Sequence, residues 1–210
     1  MKRDYEDTES TKMHKENLPR LVVLISGSGT NLQAILDACA SGTVPAQVVA
    51  VVANRADAYG LQRASTASVP ALVMEKQPNQ DRRAYDAALA DAVAAYRPDW
   101  IVLAGWMRIL TMAFLGRFPG RVINLHPALP NTFPGTHAIE RAYAAHARGE
   151  IDRTGVMVHL VPDEGVDDGP VLATAGVAFE LGESLEDLTT RVHQVEHWLL
   201  VDTLRQVVTR

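Results

Sequence analysis

Leu21-Val22-Val23-Leu24-Ile25-Ser26-Gly27-Ser28-Gly29-Thr30-Asn31 opens on five consecutive apolar residues and closes on a glycine-rich turn. An apolar run of that length, without polar alternation, is the pattern of a strand covered on both faces, as parallel sheets require. The turn runs into a predicted helix over residues 32–40. The same alternation continues downstream, with predicted strands at 47–53, 71–74, 100–104 and 122–124, and helices after Asp57 and over 81–96. Arg97-Pro98 closes the last of these, because proline cannot continue a helix. Strands and helices alternating at this spacing predict an α/β fold built of βαβ units, with a mostly parallel sheet and helices on both faces.

The remainder of the chain reads differently. A helix is predicted over 136–148, then strands at 155–161 and 171–179 joined by an acidic loop. Ser184-Leu185-Glu186-Asp187 fits a capping box opening a final helix, whose Leu188, Val192, Val195 and Leu199 form one stripe. The expected organisation is a solvated tail over residues 1–19 and a single domain over 20–210, its two halves meeting near residue 120.

Composition narrows the function. A net charge of −5 gives no electrostatic footprint for a nucleic-acid partner. Cys39 is the one cysteine, so no internal disulfide or cysteine-cluster metal site is expected. No stretch approaches the roughly 18 apolar residues of a membrane span, and the charged N-terminus has no apolar signal core. A soluble cytoplasmic protein with small-molecule partners, monomer or homodimer, is the expectation.

Strand, glycine turn and helix together bring backbone N–H groups and a positive dipole end to one place, which makes an anion site. Thr30 and Asn31 add side-chain donors. A dinucleotide fingerprint would need a third glycine three places after Gly29, where Leu32 and Gln33 follow, and an acid where Asn54 stands. No lysine follows as in a Walker loop, so a monophosphate fits better than NAD or ATP. The same turn is also compatible with a purely structural role.

Ile123-Asn124-Leu125-His126-Pro127 leaves a buried strand at its carboxyl end, where open α/β sheets hold ligands. Residues two apart on an extended segment point the same way, so Asn124 and His126 can face one cavity. An amide donor beside an imidazole suits a reaction through a tetrahedral intermediate. The plainer alternative is a strand-ending asparagine and a histidine satisfied by backbone carbonyls. The acidic loop, Asp163-Glu164-Gly165-Val166-Asp167-Asp168-Gly169-Pro170, offers carboxylates. One of them beside His126 would favour the imidazolium and raise its pKa.

Four segments, Leu24 to Leu32, Leu103-Ala104-Gly105-Trp106-Met107-Arg108-Ile109-Leu110, Ile123 to Pro127 and Asp163 to Pro170, occur in an order and spacing that closely resembles the phosphoribosylglycinamide formyltransferase family. The resemblance begins near Leu21 and covers all but the tail. It implies a Rossmann-like N-terminal half, a folate cleft in the C-terminal half, and formyl transfer from 10-formyltetrahydrofolate to a sugar-phosphate glycinamide in purine synthesis, without metal or NAD. It implies that Gly29, Thr30 and Asn31 hold the substrate phosphate and Glu196 its glycinamide end. Met107, Arg108, Ile109 and Leu110 would line the folate pocket with Asn124, and Arg82 would contact the folate. Asn124, His126 and Asp167 would be catalytic, with Asp167 preferred to Asp168 because it precedes the x-Gly-Pro triplet. The chain departs from the family pattern at Pro127-Ala128-Leu129-Pro130-Asn131, at Trp106 in place of phenylalanine, and at His193 in place of glutamine.

Rival readings are weaker. His193-Gln194-Val195-Glu196-His197 matches H-x-x-E-H, an inverted zinc-protease motif, but only Asp202 follows as a further acidic ligand. His137 and His159 are read as structural or supporting residues. Folate deformylases and methionyl-tRNA formyltransferases share the Asn–His–Asp set, yet each is expected to carry an additional domain. A non-catalytic nucleotide- or folate-binding module is the remaining alternative, and turnover separates it from an enzyme.

Overall fold

The structure, a computed structural model, describes residues 18–209. The tail reading falls mostly on residues 1–17, outside the described residues. Seven strands form one sheet: β1 (Arg20–Ile25), β2 (Gln47–Ala53), β3 (Ala71–Val73), β4 (Trp100–Leu103), β5 (Val122–His126), β6 (Arg153–Leu160) and β7 (Val171–Ala178). Their order is β3-β2-β1-β4-β5-β6-β7. The first five are parallel, β6 runs antiparallel to β5, and β7 antiparallel to β6. Six helices accompany them among the described residues: α1 (Thr30–Ala40), α2 (Gly60–Thr66), α3 (Arg82–Ala94), α4 (Met112–Leu115), α5 (Ala138–Ala147) and α6 (Leu185–Val208).

Strand β1 explains why the sheet is covered twice. Leu21, Val23 and Ile25 pack into one core with residues of α1 and α6, while Val22 and Leu24 pack into the other with Tyr85, Leu89 and Val93 of α3. All five of these side chains are fully buried. Burying such a side chain is worth about 1.5–3 kcal/mol, so any slip that exposed either face would be costly.

The chain runs outward from β1 through β2 to β3, then returns to β4 on the other side of β1 and continues to β5. The carboxyl ends of β1 and β4 thus flank a topological switch point, where a crevice opens. Ser26 N donates to Gly105 O at 3.1 Å, tying the loops that leave these two strands.

Helix α6 starts as the sequence predicts. Ser184 Oγ accepts from Asp187 N at 3.1 Å and Asp187 Oδ2 accepts from Ser184 N at 3.2 Å. Leu188, Val192 and Leu199 are buried, and Val195 packs partly exposed against the same core. Ser184→Ala is expected to cost about 1 kcal/mol in urea unfolding, the usual value of an N-cap.

Two local features differ from expectation. The one-turn helix α4 carries no sequence periodicity. Helix α5 starts two residues later than predicted, because Thr136 and His137 belong to a loop in which Asn131, Phe133, Gly135 and His137 all take positive φ (63°, 48°, 81° and 57°).

Candidate active site

Gly29, with φ 70°, caps α1 in a left-handed conformation that favours glycine. A Cβ there would lie 2.7 Å from Gly60 Cα at the start of α2. Gly60 N donates to Gly27 O at 3.1 Å, and Arg63 Nε donates to Ser28 O at 2.9 Å. The turn therefore has a structural reason for its glycines as well as an electrostatic one. Asn31 sits buried in the first turn of α1 and donates through Nδ2 to Glu196 Oε2 at 3.2 Å. Residues 165 apart in sequence meet because α6 packs along α1.

Across the crevice, β5 delivers Asn124 and His126 to the same end of the sheet. Asp167, itself left-handed at φ 54°, comes over from the acidic loop. His126 Nδ1 lies 3.2 Å from Asp167 Oδ2, with the imidazole side chain only 4% exposed and the carboxylate 12%. Asn124 Nδ2 donates to Asp167 Oδ1 at 2.9 Å, and Gly135 N donates to Asp167 Oδ2 at 2.8 Å. His159 completes the cluster. Its Nδ1 lies 2.9 Å from Leu160 O, and its Nε2 lies 3.1 Å from Asn124 Nδ2 and 3.6 Å from Asp167 Oδ1. Asp168 is exposed.

The third wall is the loop between β4 and α4. Ser26 Oγ accepts from Met107 N at 2.8 Å, and buried Asp86 accepts from Thr111 N at 2.7 Å. Glu164 accepts from Met112 N at 3.0 Å, joining this loop to the one that carries Asp167. Met107 and Ile109 are 70% and 47% exposed, an unusual placement for large apolar side chains unless a ligand covers them. Leu110 is buried in the core, so it supports the wall more than it presents a side chain to the cleft. Arg82 lies outside the cleft lining and donates through Nη2 to Ile109 O at 2.8 Å, bracing the loop from α3.

One cleft of about 980 Å³ runs past all these parts, from residues 27–31 along Met107, Arg108, Ile109 and Leu110 to Asn124, His126, Asp167 and Glu196. Residues 19–204 match the family described as formyl transferase. The chain belongs to the formyl transferase family.

Relatives of this formyl transferase include phosphoribosylglycinamide formyltransferases of Schizosaccharomyces pombe, 43% identical over 90% of the chain and 97% of the relative, and of Escherichia coli, 43% identical over 84% and 81%. Among solved structures, glycinamide ribonucleotide transformylase 1 of Symbiobacterium toebii superposes with TM-score 0.85 at 43% identity, covering 91% of this chain and 88% of that one. The Geobacillus kaustophilus enzyme of the same name gives 0.85 at 41%, covering 91% and 100%.

The electrostatics of this formyl transferase depart from expectation at one point. Burial pushes the His126 pKa down, and this outweighs the upward pull of Asp167 and of the Phe133 carbonyl that faces Nε2 at 3.1 Å. The expected net rise is thus reversed: the carboxylate acts as predicted, but desolvation wins. Burial pushes Asp167 up, and the His159 ring, the Gly135 N–H and His126 together more than offset it, holding the carboxyl below its ordinary range. Asn124 also differs. Both its N–H bonds are directed at Asp167 and His159, so one must turn to meet an oxyanion.

Among the described residues, no group of three or more His, Cys, Asp or Glu is arranged to hold a metal. His193 Nε2 and Glu196 Oε2 are 4.0 Å apart, while His197 Nε2 is buried without a hydrogen-bond partner. Among the described residues, no helix is long and apolar enough to cross a membrane. The sequence reading left Ser26, Asp86, Gly135 and Glu164 unassigned and kept His159 as a supporting residue. Only the Asn124–His159 pairing across β5 and β6 reveals how close His159 sits, and sequence does not contain that register.

Proposed function

We propose that this formyl transferase moves the formyl group of 10-formyltetrahydrofolate to the amine of N1-(5-phospho-D-ribosyl)glycinamide, giving formylglycinamide ribonucleotide and tetrahydrofolate in purine synthesis. The observation that carries this reading is the meeting of His126, Asp167 and Asn124 in the same cleft as the residue 27–31 turn. A phosphorylated acceptor anchored at that turn reaches toward β5, where its amine meets the formyl carbon. Exposed Met107, Ile109 and Val166 offer apolar surface for a flat folate ring.

In the reaction, the amine nitrogen attacks the formyl carbon, the bond from that carbon to N10 breaks, and a proton passes from the amine to N10. His126 takes up that proton as the tetrahedral intermediate forms, with Asp167 facing its Nδ1, and returns it to the leaving nitrogen. A pKa held down by burial keeps the imidazole unprotonated and ready as a base. Asp167 stabilises the imidazolium that results, and one Asn124 N–H turns to the oxyanion. Oxyanion donors are worth about 10²–10³ in rate, and holding both substrates in one cleft adds an entropic advantage.

The test is formyl transfer by the purified chain from 10-formyltetrahydrofolate to glycinamide ribonucleotide, with formate measured in the same tube. Formylated product without matching formate supports the reading; formate alone would make the protein a folate hydrolase, and neither would make it a binding module.

Glu196 supplies a further prediction. Burial pushes its pKa above the ordinary value of 4.5, against the opposing pulls of Asn31 and His193. An acid with a raised native pKa favours the folded state below 4.5, and that benefit fades as pH rises through the raised value. Glu196→Gln is therefore expected to be more stable than the parent at neutral pH, with the gain shrinking under acid, as read by urea unfolding at both. The same variant should raise KM for the glycinamide substrate at least about tenfold, because hydrogen bonds to charged groups contribute roughly 1.5–3 kcal/mol.

A further inference from the structure

The catalytic imidazole has a second partner besides Asp167. His126 Nε2 faces Phe133 O at 3.1 Å. Both ring nitrogens thus look at oxygens that only accept, and in the neutral ring only one can carry the hydrogen. The anionic Asp167 favours that hydrogen on Nδ1, and the Phe133 carbonyl is placed to accept from the Nε2–H that the ring gains when it is protonated.

Phe133 O holds its place in a segment that is not at rest. Asn131, Phe133 and His137 are non-glycine residues with φ between 48° and 63°. That region is sterically unfavourable for a residue with a side chain, least so for asparagine, and a bulky phenylalanine there is a genuine outlier. Such strain persists only where surrounding contacts over-determine it. The contacts come from α5. Arg141 Nη1 donates to Pro134 O at 2.7 Å and reaches Thr136 O at 3.5 Å. Its guanidinium lies 5.7 Å from the Phe133 ring centroid. One side chain therefore grips the segment on both sides of Gly135, whose N–H in turn holds Asp167.

We propose that Arg141 is a positioning residue: it clamps the strained segment from Asn131 to His137 so that the Phe133 carbonyl meets the Nε2–H of the protonated His126 ring and the Gly135 N–H fixes Asp167. The clamp acts on both partners of the acid–base pair without touching substrate. It rests on the formyl-transfer reading for its effect on rate, but not for its effect on the imidazole. The charge of Arg141 by itself opposes a proton on His126. Loss of rate on removing it would therefore come from lost geometry and not from lost charge.

The experiment compares the parent, Arg141→Ala and Arg141→Lys in the full chain. Arg141 is exposed, so all three are expected to fold. In substrate-free protein with labelled histidine, acidified until His126 is protonated, the parent should show a protected Nε2–H signal for His126, and Arg141→Ala should broaden or lose it. In formyl transfer, Arg141→Ala should lower kcat about tenfold, in the range seen when partners that orient a functional histidine are removed, with both KM values within twofold. Arg141→Lys, which keeps a donor for Pro134 O, should recover part of both. An unchanged Nε2–H signal in Arg141→Ala, or kcat within twofold of the parent, would overturn the proposal. A chain without formyl-transfer activity would refute the function while the imidazole signal still tested the clamp.

Discussion

Asp167→Asn is expected to lower turnover at least about a hundredfold, the lower end of what positioned acid–base groups supply. The substitution keeps the shape of the side chain and removes its charge. Asp167 is where His126 Nδ1, Asn124 Nδ2 and Gly135 N converge. An amide can accept at only one of its two ends, so at least one of these donors meets an N–H instead of an oxygen. The imidazolium that forms during transfer also loses its counter-charge in a site that excludes water. The decisive measurement is kcat of a variant whose thermal unfolding matches the parent. Near-normal turnover in such a variant would remove Asp167 from the mechanism.

His126→Ala carries a comparable expectation, a loss of about a hundredfold or more, because it removes the imidazole that faces Asp167 at 3.2 Å. His159 is the nearest candidate to replace it, but its Nδ1 is tied to Leu160 O and its Nε2 faces Asn124. The two substitutions together should be scarcely worse than the more severe of them, since groups acting as one unit lose their joint effect once. Fully additive losses in the double variant would mean that His126 and Asp167 work independently and that their 3.2 Å approach is incidental.

The fold was legible where burial dictated composition. The β1 run, the glycine turn and the α-helical segments announce themselves because a doubly covered strand admits almost no polar residue. The Ser184 capping box was legible for a different reason, since its partners are three residues apart. What escaped depends on pairings that sequence does not record. Asn124 and His159 meet through strand register, and Asn31 and Glu196 through helix packing. Leu110 lines the cleft as the resemblance implies, and that its side chain is also buried in the core is a matter of packing. The sign of the His126 shift was missed because a nearby carboxylate can be inferred from sequence, but the depth of burial that outweighs it cannot. The loop from Asn131 to His137 escaped for lack of any periodic signal, and its Phe133 adopts a backbone that propensity argues against.

The contact between Gly29 and Gly60 bears on how this cleft can be inherited or borrowed. Two segments about thirty residues apart touch backbone to backbone: a methyl group on Gly29 would drive them apart, and one on Gly60 would strike the Ile25 side chain and crowd Gly29. The pair can therefore drift only in concert. Anyone grafting the turn alone onto a foreign scaffold would transplant half of a mould and lose the shape that the missing half impresses on it.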